Sequence, residues 1–99
     1  MNTTVSVVFV IASWPATRQA HWDALLTARA IENQLFVVGV NRVGQGGGLD
    51  FTGGSVIVDP LGRALAHGGC DVGLVAATID LARVAEIRSE FPFLLDRRF

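Results

Sequence analysis

Two stretches of this chain, residues 5–12 (Val-Ser-Val-Val-Phe-Val-Ile-Ala) and 36–41 (Phe-Val-Val-Gly-Val-Asn), are rich in β-branched residues and apolar at almost every position. A strand sends alternate side chains to opposite faces of its sheet, so a strand that is apolar throughout must be covered on both sides. Pro15 closes the first stretch. From about Thr17 to Gln34, Trp22, Leu25, Leu26 and Ala30 recur at three- and four-residue spacing, the period of a helix with one buried stripe. Strand, helix and strand make a βαβ unit, which implies parallel strands and a right-handed crossover.

The second half reads differently. Gln45-Gly46-Gly47-Gly48-Leu49-Asp50 is expected to be a loop, because a glycine run loses too much backbone entropy in regular structure. Residues 55–58 and 63–67 flank Asp59-Pro60-Leu61-Gly62, whose proline and glycine suit a type I turn, so a hairpin is expected. A loop over 67–71 leads to a predicted strand over 72–79. Asp80 is a candidate N-cap for a helix through about Ser89, with Pro92 marking its end. The tail from Phe91 to Phe99 is apolar for a terminus. No repeat or linker divides the 99 residues, so residues 1–99 read as a single α/β domain with a mixed sheet and two helices.

Composition bears on what covers that sheet. Hydrophobic residues make up 51% of the chain and charged ones 17%, too apolar for disorder and rather apolar for a small domain that must clothe its own surface. With only two helices on the sheet, one layer is missing, and some apolar surface must meet another layer, domain or subunit. A net charge of −1 gives no footprint for nucleic acid. The apolar run over 5–12 is too short for a bilayer, which needs ~20 residues, and it lacks the basic start of a secretory signal. No membrane partner is expected. One cysteine excludes an internal disulfide and fits a reducing compartment such as the cytoplasm.

Ligands of open α/β sheets gather at the carboxyl ends of the strands. Here the two parallel strands end at Ser13-Trp14 and Asn41-Arg42, which would bring a hydroxyl, an indole, an amide and a guanidinium together. Trp14 and Asn41 fit either a pocket lining or a packing anchor and loop tie. Arg29, Glu32 and Asn33 lie on adjacent turns of the helix, with Arg29 close enough to the apolar stripe to suggest burial; a structural role is expected of all three. Cys70, the only thiol, has His67 as its nearest base in sequence, in a late connecting loop unlike the setting of an activated thiolate. His21 and His67 lack metal-ligand spacing, so no metal site is expected. The glycine run fails as a phosphate loop because a strand and a turn follow it, not a helix N-terminus.

Arg29-Ala30-Ile31-Glu32-Asn33, the run from Leu35 to Gly44, Phe51-Thr52-Gly53-Gly54-Ser55, Asp59-Pro60-Leu61-Gly62 and the closing stretch from Phe91 to Arg98 together resemble the carbon–nitrogen hydrolases of the nitrilase superfamily, especially the ω-amidase-like branch. The resemblance implies the C-terminal part of an α-β-β-α sandwich, with the second sheet supplied from elsewhere. It implies amide hydrolysis by a Glu, a Lys and a nucleophilic Cys, without a cofactor, on small ω-amides in the cytoplasm, in an enzyme that forms homo-oligomers. The chain contains no lysine: all eight of its basic residues are arginines. None of the three catalytic side chains maps onto it, and Met1-Asn2-Thr3-Thr4 departs from the family's approach to the first strand. Trp14 and Ser55 correspond to positions near the substrate, so Ser13, Trp14, Asn41, Arg42 and Ser55 are the candidate substrate-binding residues; Ser13 replaces an Asn common there. A non-catalytic interaction module, or a relic fragment that self-associates through its open face and tail, is the alternative reading.

Overall fold

The computed structural model describes residues 5–91. In chain order the elements are β1 (Val7–Ala12), a 3-10 turn (Ala16–Arg18), α1 (Gln19–Asn33), β2 (Phe36–Asn41), β3 (Val43–Gly46), β4 (Leu49–Thr52), β5 (Val56–Val58), β6 (Ala64–His67) and α2 (Ala82–Glu90). The βαβ unit forms as its sequence predicts: β1 and β2 are parallel, with Val8 opposite Val37 and Ala12 opposite Asn41. β5 joins β2 antiparallel and β6 joins β5, giving a mixed sheet in the order β1-β2-β5-β6. The β5–β6 turn is as expected, with the Gly62 amide donating to the Asp59 carbonyl at 2.9 Å. The Asp59 carboxylate adds bonds from the Leu61 and Arg63 amides, each at 2.9 Å. Gly62 adopts φ +86°, the left-handed step that lets a type I turn rejoin a hairpin.

One face of this sheet carries the core. Trp22, Leu26 and Ala30 of α1 pack on Val37, Val56 and Val58, with Val8, Val10 and Ala12 around them. The contact is close because residue 39 has no side chain: a Cβ on Gly39 would stand 2.5 Å from Leu26 Cδ1 and 2.9 Å from Trp22 Cζ2. Leu25, expected in the buried stripe, is 44% exposed, and Arg29 is also exposed. A narrow stripe suffices for a helix resting on a sheet, and both residues fall on its margin.

Helix α1 ends on Gln34, the one described non-glycine residue with positive φ (50°). The Leu35 amide reaches the Ala30 carbonyl at 3.2 Å and the Gln34 amide reaches Ile31 at 3.3 Å, the paired bonds of a Schellman cap. A left-handed glutamine costs about 1 kcal/mol; its buried side chain donates Nε2 to the Phe91 carbonyl at 2.6 Å, which ties the end of α2 to the end of α1, while Oε1 is buried without a hydrogen-bond partner. Arg88 of α2 adds bonds to the carbonyls of Val5 (2.8 Å) and Asn33 (3.4 Å). Burial lowers its pKa from the ordinary arginine value. A cation at the carbonyl end of α1 also complements the helix dipole. α2 starts one residue later than the expected cap implies, with Leu81 at its N-cap position, while the Asp80 carboxylate accepts the Ala82 amide at 3.0 Å.

Two expectations fail. The glycine run is not a loop: β3 and β4 pair from Val43–Thr52 to Gly46–Leu49, leaving only Gly47 and Gly48 at the tip. Both have positive φ (57° and 78°), the requirement of a two-residue hairpin turn, so the glycines serve the hairpin they were read as excluding. The second failure is the predicted strand over 72–79, which pairs with no strand among the described residues. Its composition suits a strand, but a strand needs a neighbour to receive its ladder bonds. Pro92 and the apolar tail fall outside the described residues.

Among the described residues, the sheet face opposite α1 is covered only in part. Phe9 and Ile11 alternate with the core-facing residues of β1 and are 68% and 80% exposed, and Val40 of β2 is 44% exposed. Val75 crosses part of this face beside Val38 and Ile57. The expectation of strands apolar on both sides with one layer absent matches this arrangement.

We expect Gly39→Ala to destabilise the chain by about 1–3 kcal/mol, since the added methyl must displace an indole and a leucine in a packed core. Gly69→Ala, where a Cβ would meet nothing within 4 Å, should change stability by less than about 0.5 kcal/mol. Urea unfolding of both variants checks the contrast.

Candidate functional site

The parallel register sets the ends of β1 and β2 side by side, and Asn41 joins them. Its side chain is buried, 6% exposed. Oδ1 accepts the Trp14 amide at 2.8 Å, while Nδ2 donates to the carbonyls of Trp14 (3.2 Å) and Gly53 (2.7 Å). Two carbonyls facing one atom and an N–H facing the other leave a single orientation for the amide group. The Asn41 backbone N–H donates to Ser55 Oγ at 2.9 Å. Strand end, strand end and the 53–55 segment are thus fastened through one side chain.

That segment is held from the other side by α1. Trp22 Nε1 donates to the Gly54 carbonyl at 2.9 Å, and Gln19 Nε2 reaches the Gly53 carbonyl at 3.4 Å. The Thr52 hydroxyl donates to Gln19 Oε1 at 3.0 Å. Gly53 and Gly54 have φ of +71° and +70°, and a Cβ on Gly53 would stand 2.6 Å from the Gly69 carbonyl oxygen. No side chain fits there. The Gly68 amide bonds the Ser55 carbonyl at 2.6 Å and the Gly54 amide bonds Gly69 at 3.4 Å, bringing the loop after β6 against the same segment.

Of the five residues singled out in the sequence, Trp14, Asn41 and Ser55 meet in this network. Trp14 is half-buried, its ring 6.3 Å from that of Trp22 between centroids. Ser13 is exposed beside it. Arg42 is exposed and engaged with the β3–β4 hairpin, its guanidinium 4.4 Å above the Phe51 ring and 3.2 Å from the Gln45 carbonyl. Sequence reasoning missed Gln19 and the polar role of Trp22. A buried indole must place its N–H, so the stripe residue itself carried that signal.

A cleft of about 320 Å³ opens beside this network, lined among others by Val40, Asn41, Ser55, His67, Asp71 and Val75. His67 Nδ1 lies 2.8 Å from the Gly68 carbonyl, and Cys70 is exposed on the neighbouring loop. Among the described residues no group of three or more His, Cys, Asp or Glu could hold a metal ion, and no helix is long and apolar enough to cross a membrane. The arrangement offers a rigid rim with hydroxyl, imidazole and carboxylate groups.

The family model for carbon–nitrogen hydrolases matches residues 3–89. The chain belongs to the carbon–nitrogen hydrolase family. The chain is 48% identical over 93 residues to a 2-oxoglutaramate amidase of Bacillus subtilis, covering 94% of itself and 36% of that protein. It is 44% identical over 84 residues to the omega-amidase YafV of Escherichia coli K12, covering 83% of itself and 33% of the relative. Among solved structures it superposes with a TM-score of 0.87 and 40% identity on a CN-hydrolase superfamily protein from Xanthomonas campestris that carries an arsenic adduct in its active site. That match covers 95% of this chain and 36% of the other. An amidase variant from Nesterenkonia, with the acetamide moiety of fluoroacetamide bound covalently to its active-site cysteine, matches at TM-score 0.66 and 32% identity, over 89% of this chain and 35% of that one. The chain therefore spans about a third of the length of the curated relatives it matches, and it is similar to the ω-amidase branch of the nitrilase superfamily.

We expect Asn41→Ala to cost about 2–4 kcal/mol by leaving partly buried backbone groups without partners. Asn41→Asp, though nearly isosteric, should cost at least as much, because it turns an acceptor oxygen toward the carbonyls of Trp14 and Gly53. Urea midpoints that rank the aspartate variant clearly above the alanine one would refute the role given to Nδ2.

Proposed function

We propose that this chain is the C-terminal part of a carbon–nitrogen hydrolase that cleaves small ω-amides to acid and ammonia. The observation that carries the reading is the 48% identity to a 2-oxoglutaramate amidase over 93 residues, combined with coverage of only 36% of that enzyme. The complete absence of lysine points the same way, since at least the Lys of the family's Glu, Lys and Cys set must then be supplied by the other part.

In the complete enzyme a cysteine thiolate attacks the amide carbon and the carbonyl electrons move onto oxygen, where the lysine holds the negative charge. The tetrahedral adduct collapses to a thioester as the glutamate passes a proton to the departing nitrogen, which leaves as ammonia. Water, deprotonated by the same carboxylate, attacks the thioester; the carboxylic acid departs and the thiol is regenerated. The covalent acetamide group on the cysteine of the Nesterenkonia amidase supports a nucleophilic cysteine for this chemistry.

The contribution of this chain is positional. The Asn41 network ties the ends of β1 and β2, which supports a role for Ser13 and Trp14 at the rim that receives the amide. Ser55 supports the same rim through the Asn41 amide. Arg42, which stacks on Phe51, orders the adjacent hairpin and could meet a substrate carboxylate only by leaving that ring. The single cysteine suits work in the cytoplasm.

Two experiments test the reading. The 99-residue chain alone should release no ammonia from succinamate or 2-oxoglutaramate; release that a thiol reagent abolishes would instead make Cys70 a nucleophile. Grafted in place of the matching third of the Bacillus subtilis enzyme, the chain should restore hydrolysis of 2-oxoglutaramate, and Trp14→Ala in that chimera should raise KM. A chimera that unfolds cooperatively yet releases no ammonia would sink the proposal.

A further inference from the structure

Arg42 belongs to the strand-end network by its backbone and to the β3–β4 hairpin by its side chain. Its amide donates to the Ala12 carbonyl at 3.2 Å and its carbonyl accepts the Gly53 amide at 3.1 Å, so its backbone is fastened to both segments that Asn41 ties. Asn41 and Val43, on either side of it, line the cleft, whereas the Arg42 side chain runs along the hairpin. There the guanidinium lies 4.4 Å above the Phe51 ring, and Nη2 donates to the Gln45 carbonyl at 3.2 Å. Residue 46 has no side chain, and the guanidinium fills that space: a Cβ on Gly46 would stand 3.0 Å from Arg42 Cζ and closer still to Nη2. The ring beneath is itself anchored, since Phe51 is 7% exposed.

We propose that Arg42 is a positioning residue for the amidase: its side chain holds the β3–β4 hairpin at a fixed angle to the strand-end rim, and it does not bind a substrate carboxylate. The inference rests on the amidase reading and says how this residue serves it. A guanidinium suits the task because its flat face can stack on a ring while its edge still directs an N–H at a carbonyl. Face and edge are both engaged here, so recruiting the group to a substrate would give up the stack and the Gln45 bond together. The hairpin it grips is closed on itself, with Gln45 Nε2 donating to Asp50 Oδ1 at 2.7 Å across the register pair. Among the described residues β3 and β4 have no third strand, and a two-stranded ribbon is marginally stable alone. What holds its base therefore decides how it stands beside the rim.

The chimera with the Bacillus subtilis enzyme is the test protein, with succinamate and its methyl ester, the same amide without the negative charge, as paired substrates. Arg42→Ala should lower kcat/KM for both by the same factor, about tenfold for a lost stack and charged hydrogen bond. Hydrogen exchange over residues 43–52 should quicken in the same variant, as a released hairpin opens more often. Phe51→Leu, which removes the ring and keeps the cation, should reproduce both effects. The double variant should do no worse than either single one, since both act through one contact.

A fall confined to succinamate overturns the proposal and makes Arg42 a carboxylate ligand. Unchanged exchange over 43–52 in Arg42→Ala also overturns it, because no clamp is then lost, and this readout needs no turnover. A double variant whose losses add overturns the coupling to Phe51. These failures arise in an active chimera; an unsubstituted chimera that folds and hydrolyses neither amide sinks the amidase reading itself, and this proposal with it. Arg42 is exposed, so its alanine variant should fold; should Phe51→Leu unfold, Arg42→Ala decides.

Discussion

A buried indole needs an apolar bed and an acceptor for its N–H, and the way Trp22 obtains both organises the rest of this chain. Its ring reaches the sheet only because Gly39 leaves room, and its N–H is satisfied only because the chain returns after β4 to present the Gly54 carbonyl. The first condition fixes the distance between α1 and β2. The second fixes where the 53–55 segment runs, and with it the acceptor and the hydroxyl that Asn41 uses. Moving Trp22 would therefore disturb packing and the strand-end network together.

Asn41 extends that arrangement from the core to the rim. Parallel strands end without the hairpin that would hold antiparallel ends together, so some other group must tie them. A primary amide is suited to this, with an acceptor for one amide proton and two donors for carbonyls. The cleft beside it is lined by groups held in place by backbone bonds from Gly53, Gly54 and Gly68.

Much of this was legible in the residues. The two apolar runs and the helix between them required a parallel βαβ unit, and the same runs, apolar on both faces, required a second covering that the described residues supply only in part. The Asp59-Pro60-Leu61-Gly62 turn and the start of α2 just after Asp80 were readable because short side chains there bond to nearby backbone, a local effect. The glycine run misled because glycine is compatible with two outcomes: it disfavours regular structure, yet it is required at the tip of a two-residue hairpin. The strand over 72–79 misled for the opposite reason. Its residues favour extended pairing, and pairing is a property of two segments.

The sequence by itself determined the periodicities, the turns and the caps, and it determined by its lack of lysine that a family catalytic set cannot be housed here. These follow from local sterics, from side-chain bonding over a few residues, and from composition. Only the tertiary structure decided that Asn41 ties Trp14 to Gly53, that Arg42 stacks on Phe51, that Gln34 accepts a left-handed backbone to hold α2, and that Phe9 and Ile11 face solvent. Each of these joins groups far apart in the chain or depends on which surfaces are covered. Such relations are set by the packing of whole elements, which no local pattern encodes.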